Sequence, residues 1–310
     1  MKAVIPDGIW PTMITPFKDN KIDYGVLENI VEWYIDKGVD GLFAVCQSSE
    51  MFFLTLEERT RLARTVKELA RGRVPVIASG HISESVKEQR EELKAMADTG
   101  IDALVLIGSR LARRDEPDSV LMKNIESLLQ WIPDIPLGIY ECPYPYKRIV
   151  TPELAEWLAD TGRFFFLKDT CRNPKLIKEK IRKASPKGLK VFNANAATLL
   201  ETLEYGAAGY SGVMANFHPE LYKGLMMLRS SNPEQAKRLQ SFLGFASAIE
   251  YQYYPVNAKY YMQLEGLGIR LECRSKEISG FDISHRYEIE FLHSLSAEYA
   301  RAFGIPITRS

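Results

Sequence analysis

The sequence predicts an α/β fold, a (β/α)₈ TIM barrel with a helical C-terminal extension, and three observations carry that prediction. Eight short apolar runs rich in β-branched and aromatic residues recur along the first two thirds of the chain. A stretch with apolar residues at helical spacing follows each run, and after the eighth the pattern turns wholly helical.

The runs are Ile9 to Ile14, Gly41 to Val45, Val74 to Ser79, Ala103 to Ile107, Leu137 to Tyr140, Phe164 to Lys168, Leu189 to Phe192 and Gly209 to Val213. Between them lie amphipathic segments such as Tyr24 to Asp36, Leu56 to Ala70, Ser83 to Ala97 and Asp118 to Trp131. A continuous apolar run such as Phe164-Phe165-Phe166-Leu167 suits a parallel strand covered on both faces, and right-handed crossovers let eight such units close into a ring. Helices stop at Gly38-Val39-Asp40-Gly41, Gly100-Ile101-Asp102-Ala103 and Gly206-Ala207-Ala208-Gly209, where glycine lets the chain turn back into the sheet. Alone these are three ordinary helix stops; the count of eight carries the barrel. Residues 1–218 are therefore assigned to a barrel catalytic domain. Helical patterns over Pro219 to Leu228, Pro233 to Glu250, Tyr254 to Leu264 and Phe281 to Phe303 make residues 219–310 an extension. With no Pro/Gly/Ser-rich linker before it, the extension is expected to pack on the barrel.

Hydrophobic residues make up 46% and charged residues 26% of the 310, enough to bury a sizeable core. Lysine plus arginine equals aspartate plus glutamate at 40 each, so there is no basic field to hold nucleic acid or an anionic membrane surface. The start, MKAVIPDGIWPTMITPF, lacks the basic flank and apolar core of a secretion signal, and no run reaches the ~18 apolar residues of a membrane span. A cytoplasmic location is the expectation. Cys46, Cys142, Cys171 and Cys273 form no CxxC pair, which argues against a disulfide scaffold or zinc ribbon.

Barrels of this kind place their chemistry at the C-terminal ends of the strands. Polar residues just past each run are Cys46-Gln47-Ser48-Ser49-Glu50, Gly80-His81, Tyr140-Glu141-Cys142-Pro143, Lys168-Asp169, Asn193 with Asn195, and Ser211-Gly212. Lys168 closes an apolar run. Burial there disfavours the ammonium form and frees amine for attack on a ketone; otherwise the side chain ends a strand, reaching solvent or pairing with Asp169. Tyr140 is either a proton carrier at a neighbouring strand end or a core aromatic with a satisfied hydroxyl. Ser48 and Ser49 offer hydroxyls and backbone N–H groups to a carboxylate, or form a plain helix cap.

In combination these residues resemble the dihydrodipicolinate synthase and N-acetylneuraminate lyase family, the pyruvate-dependent class I aldolases, hydratases and decarboxylases, over nearly the whole chain. The family's Gly-Thr-Thr-Gly-Glu-like motif looks like Cys46-Gln47-Ser48-Ser49-Glu50 with its trailing Leu54-Thr55-Leu56-Glu57-Glu58-Arg59. Its Tyr-Asn-x-Pro appears as Tyr140-Glu141-Cys142-Pro143, and its Lys-Asp/Glu-Ser/Thr as Lys168-Asp169-Thr170. Its glycine-rich stretch is matched by Gly206 to Asn216. The resemblance implies Lys168 as Schiff-base lysine, Tyr140 as acid/base and Ser48 as proton relay. It also implies a substrate-binding set of Ser49, Gln47, Glu141, Ser211, Gly212 and Asn193, with Ser48 and Ser49 on the keto-acid carboxylate and Ser211-Gly212 over the pyruvyl unit. No metal or organic cofactor is implied, the partner being a small 2-keto acid. The usual assembly is a homotetramer built as a pair of dimers, which Tyr251, Tyr253, Tyr254, Tyr260 and Tyr261 of the C-terminal helices could support.

The departures matter as much. Cys46 and Gln47 replace glycine and threonine. Pro145 stands where the synthases keep a carboxylate-gripping arginine, with Arg148 as a conceivable substitute, and the subunit-bridging tyrosine pair is missing from Gly108 to Arg114. These differences argue against lysine biosynthesis and for a sugar-acid-like substrate of a carbon-carbon or carbon-oxygen lyase. Glu141, in place of asparagine, either binds a substrate hydroxyl or is turned away and hydrogen-bonded. Arg110, Arg113 and Arg114 either recognise a second acid group or are solvated, and His81 lines the mouth or is structural. Three alternatives stand beside this reading: an authentic 4-hydroxy-tetrahydrodipicolinate synthase, a non-catalytic sensor of keto or sugar acids, and a zinc enzyme gathering Cys46, Cys142, Cys171 and His81.

Overall fold

The computed structural model describes residues 5–306. Eight parallel strands form one sheet: β1 (Gly8–Ile9), β2 (Leu42–Val45), β3 (Val76–Ala78), β4 (Ala103–Ile107), β5 (Leu137–Tyr140), β6 (Phe164–Asp169), β7 (Lys190–Asn193) and β8 (Gly209–Tyr210). The hydrogen-bonded order runs β1-β8-β7-β6-β5-β4-β3-β2. A parallel bridge between Thr12 and Phe43 joins the continuation of β1 to β2 and closes the ring. The (β/α)₈ barrel is therefore the observed fold.

The first strand is shorter than the predicted Ile9 to Ile14 because Pro11 has no N–H to give the ladder; its carbonyl still accepts from Phe43 N at 3.1 Å. The eighth stops at Tyr210, since Ser211 and Gly212 lead into a helical turn, Val213–Asn216. Phe17–Lys18 and Lys21–Ile22 form an unpredicted two-stranded ribbon, turned over Asp19 and Asn20 at φ 52° and 59°.

Around the strands run α1 (Tyr24–Asp36), α2 (Leu56–Ala70), α3 (Val86–Ala97), α4 (Asp118–Leu129), α5 (Pro152–Asp160), α6 (Pro174–Ala184), α7 (Leu199–Glu204) and α8 (Pro219–Ser231). Their starts are written in side chains. Asp23 accepts from Val26 N, Thr55 and Glu58 form a reciprocal capping box, and Thr151 and Asn173 cap α5 and α6 just ahead of a proline. Helix α3 begins three residues later than predicted, because Ile82 N and Ser83 N donate to the Glu92 carboxylate instead of entering the helix. At the helix stops Gly38 and Gly100 adopt φ 79° and 85°, open to glycine without strain.

Aromatic rings fill the barrel below its C-terminal mouth. Trp10 meets Phe166 at 5.5 Å between ring centroids, Phe166 stacks on Phe192 at 4.6 Å, and Phe43 meets Phe166 edge-on at 6.1 Å. This plug gives the site a dry floor.

Beyond α8 come α9 (Pro233–Ala246), α10 (Val256–Leu264) and α11 (Ile283–Ala302). The single helix predicted from Pro233 to Glu250 divides, its last residues tightening into a 3₁₀ turn, Ser247–Tyr251. That turn lies against the barrel mouth. The following segments are tied to the loop after β2 by the buried Lys259–Glu50 pair at 3.2 Å and to the first turn of α2 by Arg274–Glu58 at 2.7 Å.

Candidate active site

Register brings Lys168 and Tyr140 together. On β6, Lys168 pairs across to Tyr140 on β5 and to Phe192 on β7. Its side chain lies 3% exposed, with Nζ 4.4 Å from the Tyr140 ring centroid and 5.7 Å from that of Phe43. Burial pulls the ammonium pKa down to about 8, while the Cys46 and Cys142 thiols and the Glu250 carboxylate pull weakly the other way. At pH 7 about a tenth of such a lysine is free amine, against about one part in three thousand at the ordinary pKa.

Tyr140 stays protonated. Burial pushes its phenol well above the usual range, and the nearby thiols of Cys142 and Cys46 push the same way. Cys142 in turn donates to Gln47 Oε1 at 3.5 Å. The turn after β2 sets the remaining hydroxyls. Gln47–Ser49 wind one 3₁₀ turn, and Glu50 closes it with φ 61°. Ser49 Oγ donates to Cys46 O at 2.7 Å and accepts from Cys46 N at 2.8 Å, so it braces the turn. Ser48 Oγ donates to Thr12 Oγ1 at 3.1 Å and meets the Tyr254 phenol.

A cavity of about 670 Å³ opens over these groups. Of the residues predicted from sequence, Lys168, Tyr140, Ser48, Gln47 and Gly212 line it. Four do not, and each has a physical reason. Ser49 is engaged in its own turn. Glu141 is fully buried and turned away, accepting from Val150 N at 2.9 Å, Thr170 N at 2.7 Å and Lys180 Nζ at 2.7 Å. Asn193 is buried, donating to Thr198 and Thr202 and accepting from Asn195 N. Ser211 is buried beneath the wall, its hydroxyl without a partner among the described residues.

The other open choices resolve structurally. Arg148 clamps the loop after β4, donating to the carbonyls of Arg113, Arg114 and Glu116 and pairing with Asp118 at 2.6 Å, so it does not replace the missing carboxylate grip. Arg110, Arg113 and Arg114 lie outside the cavity wall. The buried His81 accepts from Ile107 N at 2.6 Å and faces Gln89 at 3.2 Å; burial lowers its pKa to about 4, so it is neutral and structural. Among the described residues no three His, Cys, Asp or Glu side chains gather as a metal site, so Cys46, Cys142, Cys171 and His81 make no zinc centre. No helix among them is long and apolar enough to cross a membrane.

Sequence reasoning missed the far wall. Glu250, Tyr251 and Tyr254 enter from the C-terminal segment, and Lys147 and Arg172 bring cations from the loops after β5 and β6. Arg172 pairs with Glu250 at 2.8 Å and lies over the Tyr251 ring at 5.1 Å. Its left-handed backbone, φ 60°, is the kind of outlier that clusters at working sites.

The sequence pattern of the Dihydrodipicolinate synthetase family matches residues 5–279. A 4-hydroxy-tetrahydrodipicolinate synthase from Maridesulfovibrio salexigens is 28% identical over 234 residues, 75% of this chain and 78% of its own. Among solved structures, the 4-hydroxy-tetrahydrodipicolinate synthase of Methylacidiphilum fumariolicum SolV superposes with a TM-score of 0.84 at 21% identity, covering 96% of this chain and 98% of its own. A prophage protein of the dihydrodipicolinic acid synthase family from E. coli K12, solved with pyruvate, gives a TM-score of 0.83 at 20% identity over 98% of this chain and all of its own (100%). The structural likenesses speak for the barrel, and the family match spans the strands that carry Lys168 and Tyr140. The chain is a member of the dihydrodipicolinate synthetase family.

Proposed function

We propose that this protein is a metal-independent lyase that takes a 2-keto acid as an imine on Lys168. The observation that carries this reading is the buried lysine, its pKa lowered to about 8, beside a protonated Tyr140 at one cavity wall. The free amine adds to the keto carbon, and the carbinolamine loses water to give the imine. The imine then withdraws electrons as a bond at the adjacent carbon breaks, by aldol cleavage or loss of a proton, and leaves an enamine. Tyr140 gives and takes protons at the leaving oxygen. Ser48 and the backbone N–H groups of its turn hold the carboxylate.

A sugar-acid-like substrate suits the polar groups beyond the lysine, where Gln47, Asn195, Ser275, Lys147, Arg172 and Glu250 offer donors and acceptors for hydroxyls and a second acid. Pro145 in place of a carboxylate-gripping arginine supports this choice over lysine biosynthesis. The direct test is borohydride reduction with pyruvate followed by intact-mass spectrometry. One reduced pyruvyl adduct per chain is expected; no adduct with pyruvate or longer 2-keto acids sinks the reading.

The lowered pKa gives imine formation a pH signature. Its initial rate should climb about tenfold per pH unit below about 8 and level above it, because only the neutral amine attacks. A rate flat from pH 6 to 8 contradicts the role of Lys168.

We also propose self-association through α11. Ile283, Tyr287, Phe291 and Leu295 recur every four residues as an exposed apolar stripe, which the same helix of a second copy covers about a two-fold axis. Light scattering should show a dimer or tetramer, and Phe291→Glu should shift it toward monomer.

A further inference from the structure

The second tyrosine of the cavity, Tyr254, has no assigned part in the scheme above. It comes from the C-terminal segment, more than two hundred positions from Ser48 in sequence, yet both line the cavity that holds Lys168. Its ring is partly exposed along the wall, while its hydroxyl sits in a fixed polar frame. Asn216 Nδ2 donates to Tyr254 Oη at 3.0 Å, and the same amide is pinned by the carbonyls of Thr12 at 2.9 Å and Val213 at 2.9 Å and by the Tyr34 hydroxyl.

This frame sets the direction of the protons. Asn216 can only donate through that nitrogen, sharing its two hydrogens among the Thr12 and Val213 carbonyls and Tyr254 Oη, so the phenolic O–H is left for Ser48. Burial raises the phenol well above its ordinary pKa, so Tyr254 holds a proton at neutral pH. Thr12 accepts from Ser48 at 3.1 Å at the barrel floor, and the Ser48 hydroxyl rotates off it to reach the carbinolamine.

We infer that Tyr254, acting through Ser48, is the proton source and sink for imine and enamine formation, supplied within one chain. Ser48 passes its proton to the carbinolamine hydroxyl and takes that of Tyr254. Water leaves, and the positive iminium is balanced by the Tyr254 phenolate. The proton lost from the neighbouring carbon then returns through Ser48 to the phenolate, leaving a neutral enamine and a neutral tyrosine. Carbinolamine thus becomes enamine plus water with no external acid.

This inference rests on the Lys168 imine, and exchange of the pyruvate methyl protons in D₂O, followed by NMR, separates the two. Tyr254→Phe should trap as much adduct at equilibrium as wild type, with an unchanged melting temperature, but exchange deuterium about 10²-fold more slowly. Ser48→Ala should fall by a similar factor, and the double variant no further, because both act on one path. Exchange by Tyr254→Phe within twofold of wild type, or a double variant whose losses multiply, overturns the relay. Absence of any adduct in the wild type overturns the Lys168 assignment and the relay with it.

Discussion

Lys168→Arg is expected to abolish imine chemistry, slowing deuterium exchange into pyruvate by about 10⁴–10⁶-fold, the scale of losing a catalytic nucleophile. The substitution separates nucleophilicity from charge. A guanidinium stays protonated at any working pH and has no free amine, yet it keeps a cation where Lys168 Nζ now lies 4.4 Å from the Tyr140 ring and 5.7 Å from that of Phe43. Calorimetry with pyruvate should show retained binding and a folded protein, while borohydride traps nothing. Exchange at the wild-type rate would refute the imine. A wild type that binds 2-keto acids without exchange or adduct would make the protein a sensor.

How much of this was legible beforehand follows from which forces act locally. Strands β4 and β5 and helices α1 and α2 match their sequence runs end to end, because apolar runs and capping residues such as Asp23 and Thr55 act within a few positions. That Lys168 and Tyr140 stand side by side at the strand ends was legible for the same reason: each ends an apolar run, and parallel register aligns those ends. The far wall was not legible, since Glu250 and Tyr254 reach the mouth only after the C-terminal helices fold back, and no local pattern encodes that return. The direction of Glu141 was also closed to local reasoning. Its partner Lys180 lies 39 positions away on α6. One cue did exist, for Lys180 falls on the buried face with Ile177, Ile181 and Ala184, where a lysine needs a partner.

Two buried lysines at this end of the barrel, Lys168 and Lys180, are tuned in opposite directions. Lys168 has no ion pair among the described residues, and burial lowers its pKa. Lys180 suffers the same burial, but the Glu141 and Asp169 carboxylates at 2.7 and 2.5 Å outweigh it and hold the ammonium well above its usual range. That pairing sits directly behind Lys168 and Tyr140, since Glu141 follows Tyr140 and Asp169 follows Lys168. Glu141 N also donates to Lys168 O at 3.2 Å, and Glu141 accepts from Thr170 N. The charge cluster therefore locks the ends of β5 and β6 together and fixes the distance between amine and phenol.

Lys180→Met should accordingly cost about 3–5 kcal/mol, because it leaves two buried carboxylates facing each other without a cation. For a chain of this size that corresponds to a fall of roughly 5–8 °C in melting temperature. The loss should depend on pH in a definite sense. Burial, and then repulsion from Asp169, already raise the Glu141 pKa against the pull of Lys180, and removing the lysine raises it further. A carboxylate whose pKa is higher folded than unfolded costs stability above its folded pKa, and the cost fades as pH falls and the group takes up a proton. The variant should therefore lie closest to wild type near pH 5 and furthest from it above pH 8, as thermal melts across that range would reveal. Trapping with pyruvate should weaken in parallel, because the strand ends that place Lys168 against Tyr140 are no longer held. A variant equally stable at pH 5 and pH 8 would mean that the cluster's charges are not what joins these strands.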